Sequence, residues 1–133
     1  MRDRPSPTRA FKGSSGQVLA REKDVSRGAA INELLTRRIA VLPANVGDPI
    51  QPFALGLWKE IRCLLKPELS VSTLRKATGC YVYSRGYQLA MAQPGSVRYD
   101  INGLPVETVS DNDRLSAQII HARLRTGSTR KTP

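Results

Sequence analysis

Apolar side chains recur with helical spacing in residues 31–39. They fall at positions i, i+3, i+4 and i+8 of one segment: Ile31, Leu34, Leu35 and Ile39. This spacing places them on one face of a helix, and Pro43 lies just beyond its end. The pattern therefore predicts a first helix from about 28 to 40.

Two further helices follow from the same kind of pattern. One ends before Pro67, and its apolar face consists of Leu57, Ile61, Leu64 and Leu65. The next begins at Ser70, a residue type that caps helix N-termini, and it should turn Leu74 and Ala77 inward. A basic stripe at i, i+3 and i+7 lies on another side of the second helix: Lys59, Arg62 and Lys66. Such stripes are usually solvated surface.

The second half of the core begins with a short helix and a hairpin. Ser84 is a second cap, and its helix stops at residues 93–95. The segment 97–101 alternates, with Arg98 and Asp100 on the polar face, and Asn102-Gly103 indicates a type I′ turn. The return strand is expected at about 104–109. A final helix begins with the S-x-x-D pattern of Ser110 and Asp113, and its inward residues are predicted to be Leu115, Ile119 and Ala122.

The charge of the chain indicates a polyanionic partner. The 133 residues carry a formal charge of +10 and have a pI near 10.3, which favours nucleic acid first and an anionic membrane surface second. No apolar run reaches the length of a membrane span. The first residues lack the apolar stretch of a secretory signal. We therefore expect a cytoplasmic protein with no membrane partner.

Most of this charge lies near the two ends of the sequence. Residues 1–27 hold seven Lys/Arg against three acids, and residues 122–133 hold four and none. The intervening core carries a net charge of only +2. We predict a basic flexible arm over 1–27, one compact domain over 28–125 and a basic tail over 126–133.

Few residues of the chain suit metal binding or catalysis. Cys63 and Cys80 are the only cysteines and lie in apolar contexts, so we expect buried, reduced thiols. The single histidine, His121, is distant from both in sequence, and no zinc spacing exists. No nucleophile elbow, P-loop or carboxylate pair is present. The sequence therefore predicts a binding protein that is not an enzyme and needs no metal and no cofactor.

The segment 69–103 contains all four tyrosines among basic residues. Aromatic rings interleaved with Lys and Arg can stack on unpaired bases and neutralise phosphates. The alternative is that one or two tyrosines pack in the core beside a solvated basic face. In addition, the free N–H groups at the helix start after Ser84 offer a site for a phosphate.

The order of these elements resembles the ProQ/FinO domain of bacterial RNA chaperones. The resemblance covers roughly residues 30–125 and is carried by three motifs: L-S-x-x-x-L-R-x-A from Leu69, Y-x-x-S-x-x-Y from Tyr81, and P-G-x-x-R-x-D-x-x-G-x-P from Pro94. It implies an α+β, predominantly helical domain with a small β-hairpin. It also implies binding to intrinsic-terminator hairpins of small RNAs and of messenger 3′ ends.

The resemblance also implies which residues contact RNA. In the family a concave pocket at a helix N-terminus holds the 3′-terminal nucleotides, and nearby basic residues follow the stem. The pocket candidates in this chain are Tyr81, Ser84, Arg85 and Tyr87, and Tyr83 is a candidate for stacking or for a hydrophobic staple. The rim and stem candidates are Arg75, Lys76, Arg98, Lys59 and Arg62. The chain departs from the family pattern at Ala54 and Gly86, where members often carry a basic residue.

Two functions are compatible with these observations. The first is an RNA chaperone, expected to be a monomer, that acts in post-transcriptional regulation through RNAs with a hairpin and a single-stranded 3′ tail. The second is a basic DNA-binding transcriptional regulator, with residues 75–87 read as a turn between two helices. For Arg98, RNA contact competes with an ion pair to Asp100 or Glu107.

Overall fold

The computed structural model describes residues 17–126. Within that range the chain forms helices and one two-stranded antiparallel hairpin. In chain order these are α1 (Glu22–Leu34), α2 (Leu57–Cys63), α3 (Val71–Val82), α4 (Arg85–Ala92), β1 (Val97–Tyr99), β2 (Pro105–Thr108) and α5 (Asp111–Thr126). The predicted fold class, predominantly helical with a small hairpin, is confirmed.

Helix α1 lies earlier in the chain than the apolar pattern predicted. It begins at Glu22, because the Asp24 carboxylate accepts a hydrogen bond from the Arg21 N–H at 2.9 Å and so caps the first turn. It ends at Leu34, where the backbone turns to pair with residues 64–66. Ile39 is buried but not helical. Part of the predicted arm is therefore helical, while residues 1–16 lie outside the described residues and the arm remains a prediction.

Both predicted serine caps are confirmed. The Ser70 Oγ accepts from the Thr73 N–H at 3.2 Å, and the Ser84 Oγ accepts from the Tyr87 N–H at 3.3 Å. The Ser84 hydroxyl also donates to the Tyr81 carbonyl at 2.7 Å. Ser84 thus ties the end of α3 to the start of α4, so that a two-residue connection fixes how the two helices meet.

The turn of the hairpin differs from the predicted type I′ geometry. The Gly103 N–H donates to the Asp100 carbonyl, and the Asp100 N–H donates to the Leu104 carbonyl. These bonds define a three-residue loop that ends in Gly103 with a φ of 82°, a left-handed conformation that glycine adopts without strain. The Asp100 carboxylate accepts from the Asn102 and Leu104 N–H groups. This extra capping favours the longer loop.

Three aromatic rings form the centre of the core. Phe53, Tyr81 and Tyr87 are all buried, with ring centroids 5.5 to 5.7 Å apart. The Tyr87 hydroxyl oxygen accepts from the Phe53 N–H at 2.7 Å. With only two phenylalanines and one tryptophan in the chain, tyrosines supply the large rings that the core needs.

Helix α5 presents a different face from the one predicted. Leu115, Ile119 and Ala122 are exposed, whereas Ala117 is buried against the domain. An ion pair between Arg98 and Asp113 fixes the rotation of the helix at its first turn. The small Ala117 side chain then allows α5 to approach α4 closely.

The two cysteines are exposed and free, so the prediction of buried thiols is wrong. Cys63 is the last residue of α2, and Cys80 lies on the outer side of α3, four residues after Lys76 and three before Tyr83. Helical spacing therefore groups Cys80 with exposed residues. The apolar neighbours in sequence occupy other faces of their helices.

We expect the Tyr87 hydroxyl to make the fold sensitive to alkali. Burial raises the pKa of Tyr87 to about 12, while the Phe53 hydrogen bond and Arg98 act in the opposite direction. A folded-state pKa above the unfolded value gives a stabilisation that is complete below pH 10 and is lost as the pH rises towards 12. Burial raises the pKa of Tyr81 as well, so that stability should fall above pH 10.

Urea unfolding of the wild type and of Tyr87→Phe, at pH 8 and above pH 10, checks this expectation. At the lower pH the variant should lose about 1 to 3 kcal/mol, because the buried Phe53 N–H has no acceptor left. Its further loss at high pH should be smaller than that of the wild type. Tyr83→Phe, at an exposed tyrosine, is the matched control. It should change neither the free energy of unfolding at pH 8 nor the loss of stability at high pH. If the free energy of unfolding depends on pH equally in the wild type and in Tyr87→Phe, ionisation of Tyr87 does not cause the sensitivity to alkali.

Candidate functional site

A concave pocket of about 560 Å³ lies where the starts of α1 and α4 meet the last turns of α5. We call it the basic pocket, because its walls carry four basic residues against two acidic ones. It is lined by Arg21, Glu22, Lys23, Asp24, Arg27, Tyr83, Ser84, Arg85, Gly86 and Leu124. This composition gives the pocket an excess of positive charge.

Two helix N-termini contribute further positive potential to the basic pocket. At the start of α4 the Tyr87 and Gln88 N–H groups are bonded to Ser84. The bonds within residues 17–126 provide no acceptor for the N–H groups of Arg85 and Gly86. Helix α1 also begins at this pocket, at Glu22. Converging helix N-termini with free N–H groups are favourable places for an anion.

Gly86 lies at a crowded point of the basic pocket, where a side chain would have no space. A Cβ atom at this position would lie 2.8 Å from the Asp24 Oδ1 atom and 2.9 Å from the Ile50 Cδ1 atom. Those distances are shorter than a van der Waals contact. A larger residue at 86 would therefore have to displace the Asp24 carboxylate from the pocket.

The positive face continues from the basic pocket onto α5. The pKa of His121 is lowered from its ordinary value by partial burial and then by the nearby charges of Arg85 and Arg125. His121 is therefore close to Arg85, although the two are 36 positions apart in the sequence. A histidine with a lowered pKa is neutral at pH 7, and the charge of this face comes from its arginines.

Two of the predicted pocket residues, Ser84 and Arg85, line the basic pocket, and so does Tyr83, the candidate for stacking or for a hydrophobic staple. Tyr83 is 62% exposed, which does not suit a packed staple and leaves the residue accessible. Tyr81 and Tyr87 lie in the core with exposures of 0% and 3% and do not line the pocket. Their aromatic faces are occupied by each other and by Phe53.

Arg98 lies in the interior, so the expectation that it lines the rim is wrong. Its side chain is 8% exposed and donates to the Phe53 carbonyl at 2.8 Å and to the Asp113 carboxylate at 2.7 Å. Val97 and Arg98 are both buried, so burial does not alternate along β1 as the predicted polar face required. The ion-pair partner is therefore Asp113 rather than Asp100 or Glu107.

The remaining predicted residues form a second surface, the α2–α3 basic face, made of Lys59, Arg62, Arg75 and Lys76. All four are exposed. The Arg75 guanidinium lies 5.4 Å from the centre of the Trp58 ring, a cation–π contact that joins the two helices. Lys76 lies seven residues before Tyr83, the residue that directly follows α3, so this side of the helix leads towards the basic pocket.

Sequence reasoning missed the pocket residues contributed by α1 and α5: Arg21, Lys23, Arg27 and Leu124. The first three were assigned to a flexible arm because their charge pattern has no apolar periodicity. The one local signal was Asp24, which lies three residues after Arg21 and can cap a helix start. Nothing local to the sequence indicates that α1 and α5 meet α4.

Two classes of site are absent from residues 17–126. No group of three or more His, Cys, Asp or Glu side chains there could hold a metal ion. In the same range no helix has the length and apolar character needed to cross a membrane.

The described residues thus form a predominantly helical domain with a basic pocket at two helix starts and an adjoining basic face, and this charge favours an anionic ligand. The sequence model of the ProQ/FinO family matches residues 29–132, and the chain belongs to this family. The resemblance drawn from the three motifs is thereby confirmed. Among curated proteins no sequence matches the chain significantly.

Two solved structures share the fold. A FinO-like RNA chaperone from Neisseria meningitidis has a TM-score of 0.50 and 16% identity, over 79% of this chain and 87% of that one. A ProQ homologue from Legionella pneumophila has a TM-score of 0.50 and 20% identity, over 90% of this chain and 97% of that one. At these identities the similarity concerns the fold.

Proposed function

We propose that this protein is an RNA chaperone that binds the hairpin and the single-stranded 3′ tail of small RNAs and messenger 3′ ends. Membership of the ProQ/FinO family supports RNA as the ligand, and one solved relative is itself described as a FinO-like RNA chaperone. The observation that carries the proposal is the basic pocket, with its free N–H groups at the start of α4 and the exposed Tyr83 ring beside them.

The terminal nucleotides of the RNA are the part that suits this pocket. Free backbone N–H groups and Arg85 can bind phosphate oxygens, and an exposed ring can stack on an unpaired base. The pocket is concave and is lined by the starts of α1 and α4 and by Leu124 of α5. A chain end fits such a site more readily than a continuing duplex.

The stem of the hairpin is assigned to the α2–α3 basic face. Lys59, Arg62, Arg75 and Lys76 are exposed, and the contact of Arg75 with Trp58 joins the two helices that carry them. Their charges suit the phosphates of an A-form helix, which proteins recognise mainly through its shape and backbone because side chains cannot read its deep, narrow groove. The basic residues of the two chain ends should add affinity that depends on salt rather than on sequence.

The alternative, a helix-turn-helix contact with duplex DNA, has less support. Helix α4 would have to act as the recognition helix, with its side chains in the major groove. Five of its eight residues are buried, namely Gly86, Tyr87, Gln88, Ala90 and Ala92. Arg85 alone in α4 is fully exposed, so the helix offers too few side chains to read base edges.

The proposal is tested by competition among four nucleic acids of equal length. One is a terminator hairpin with a single-stranded 3′ tail, the second has a blunt end, and the third has its tail extended into further structure. The fourth is duplex DNA. We expect the tailed hairpin to bind at least about tenfold more tightly than the others, because it alone presents a free chain end to the pocket. Equal affinity for the three RNAs, or preferred binding to the DNA, would contradict the proposal.

A further inference from the structure

One acidic residue lies inside the basic pocket, at the point where the two helix N-termini converge. The Asp24 side chain is 4% exposed, and its Oδ2 atom accepts a hydrogen bond from the Arg21 N–H. Both carboxylate oxygens lie beside Gly86, 2.8 and 3.0 Å from the position that a Cβ atom would take there. The carboxylate therefore lies beside the second residue of α4.

This carboxylate occupies the place that a bound phosphate would favour. A carboxylate and a phosphate are both anions that accept hydrogen bonds from N–H groups at helix starts. The two charges would repel each other in a partly buried site, where electrostatic interactions are stronger than in water. The Asp24 carboxylate thus neutralises part of the positive charge of the pocket when no ligand is bound.

Asp24 and Gly86 lie together in the basic pocket, although they are far apart in the sequence. Gly86 has no side chain and so leaves the space beside the carboxylate oxygens of Asp24. The start of α4 therefore faces a negative charge that α1 supplies.

We propose that Asp24 is a resident anion that limits the affinity of the basic pocket for RNA. This inference rests on the proposed function and deepens it, because it identifies a residue that sets how tightly the RNA end is held. Gly86 allows this arrangement because it has no side chain that would displace the carboxylate. The pocket binds the 3′ end in competition with its own carboxylate, so RNAs with additional stem contacts are favoured over short single strands.

The test compares full-length variants binding a tailed terminator hairpin. Asp24→Asn and Asp24→Ser both remove the charge and keep an oxygen that can accept from the Arg21 N–H. Glu22→Gln removes the same charge from an exposed residue of the same pocket and is the matched control. Thermal midpoints measured in parallel establish that each variant is folded.

We expect the Asp24 variant that keeps a normal midpoint to bind the tailed hairpin about fivefold more tightly or better, since a buried charge is less screened than an exposed one. Glu22→Gln should gain about twofold or less. The gain in the Asp24 variant should persist when the stem is shortened, because the effect lies at the tail.

Weaker or unchanged binding by folded Asp24 variants, or an equal gain in Glu22→Gln, would overturn the inference. If the wild type prefers the tailed hairpin and Asp24→Asn shows no gain, the role of Asp24 fails and the proposed function stands. If the wild type shows no preference for the tail, the proposed function fails and the inference fails with it.

Discussion

Replacement of Asp113 by alanine is expected to lower the free energy of unfolding by about 2 to 3 kcal/mol, because it leaves the Arg98 guanidinium buried without its carboxylate partner. The Arg98 side chain is 8% exposed, and Asp113 is its ion-pair partner at 2.7 Å. The Phe53 carbonyl would remain as an acceptor but carries no charge. The loss would also release the first turn of α5 from β1.

Asp111→Ala is the matched control for this change. Asp111 lies in the same first turn of α5 and forms an ion pair with Arg114 at 2.8 Å, but its side chain is 92% exposed. An exposed pair of this kind contributes about 0 to 1 kcal/mol, and both substitutions remove one negative charge from the helix start. Urea unfolding of the two variants measures the difference. If the two substitutions lower the free energy of unfolding by the same amount, the buried ion pair of Arg98 contributes no more to stability than an exposed pair, which would contradict the prediction.

Replacement of Arg85 by alanine is expected to weaken binding of a tailed terminator hairpin by about tenfold or more, since a charge-assisted contact to phosphate is worth about 1.5 to 3 kcal/mol before screening. Arg85 is exposed at the start of α4 and lines the basic pocket. Because its side chain lies outside the core, the thermal midpoint should change little.

Two controls locate the effect. Lys59→Ala on the α2–α3 basic face should weaken binding less, because an exposed stem contact is more screened. Arg37→Ala removes the same charge and side chain beyond the other end of α1, and it should have the smallest effect of the three. Equal losses in all three variants would indicate general attraction by net charge rather than a site at the pocket.

The elements that sequence predicted well depend on local chemistry. Ser70 and Ser84 cap helices because each hydroxyl accepts from an N–H group three residues later, and no distant contact is needed. The apolar spacing in α2 and α3 similarly places Ile61 and Leu74 in the core. These local signals were sufficient for the order of elements and for the helix start at Ser84.

The elements that sequence predicted poorly depend on contacts between distant segments. Arg98 was expected on an outward polar face of its strand, but its guanidinium is buried and donates to the Phe53 carbonyl and to Asp113 of α5. Tyr81 and Tyr87 pack in the core because the chain has few other large aromatic rings. In the same way, α1 and α5 complete the basic pocket only after folding, so that Arg21 and Leu124 could not be assigned to a site from their own neighbourhoods.

The central claim is that the basic pocket holds the 3′ end of the RNA, and a photocrosslink from that end tests it most directly. A terminator hairpin would carry 4-thiouridine either at its 3′-terminal position or within its stem. After irradiation and digestion, mass spectrometry identifies the crosslinked residues. The terminal probe should modify residues 83–86 or 21–27, and the stem probe should modify α2 or the first half of α3. A terminal probe that modifies the α2–α3 basic face and leaves the pocket untouched would contradict the account.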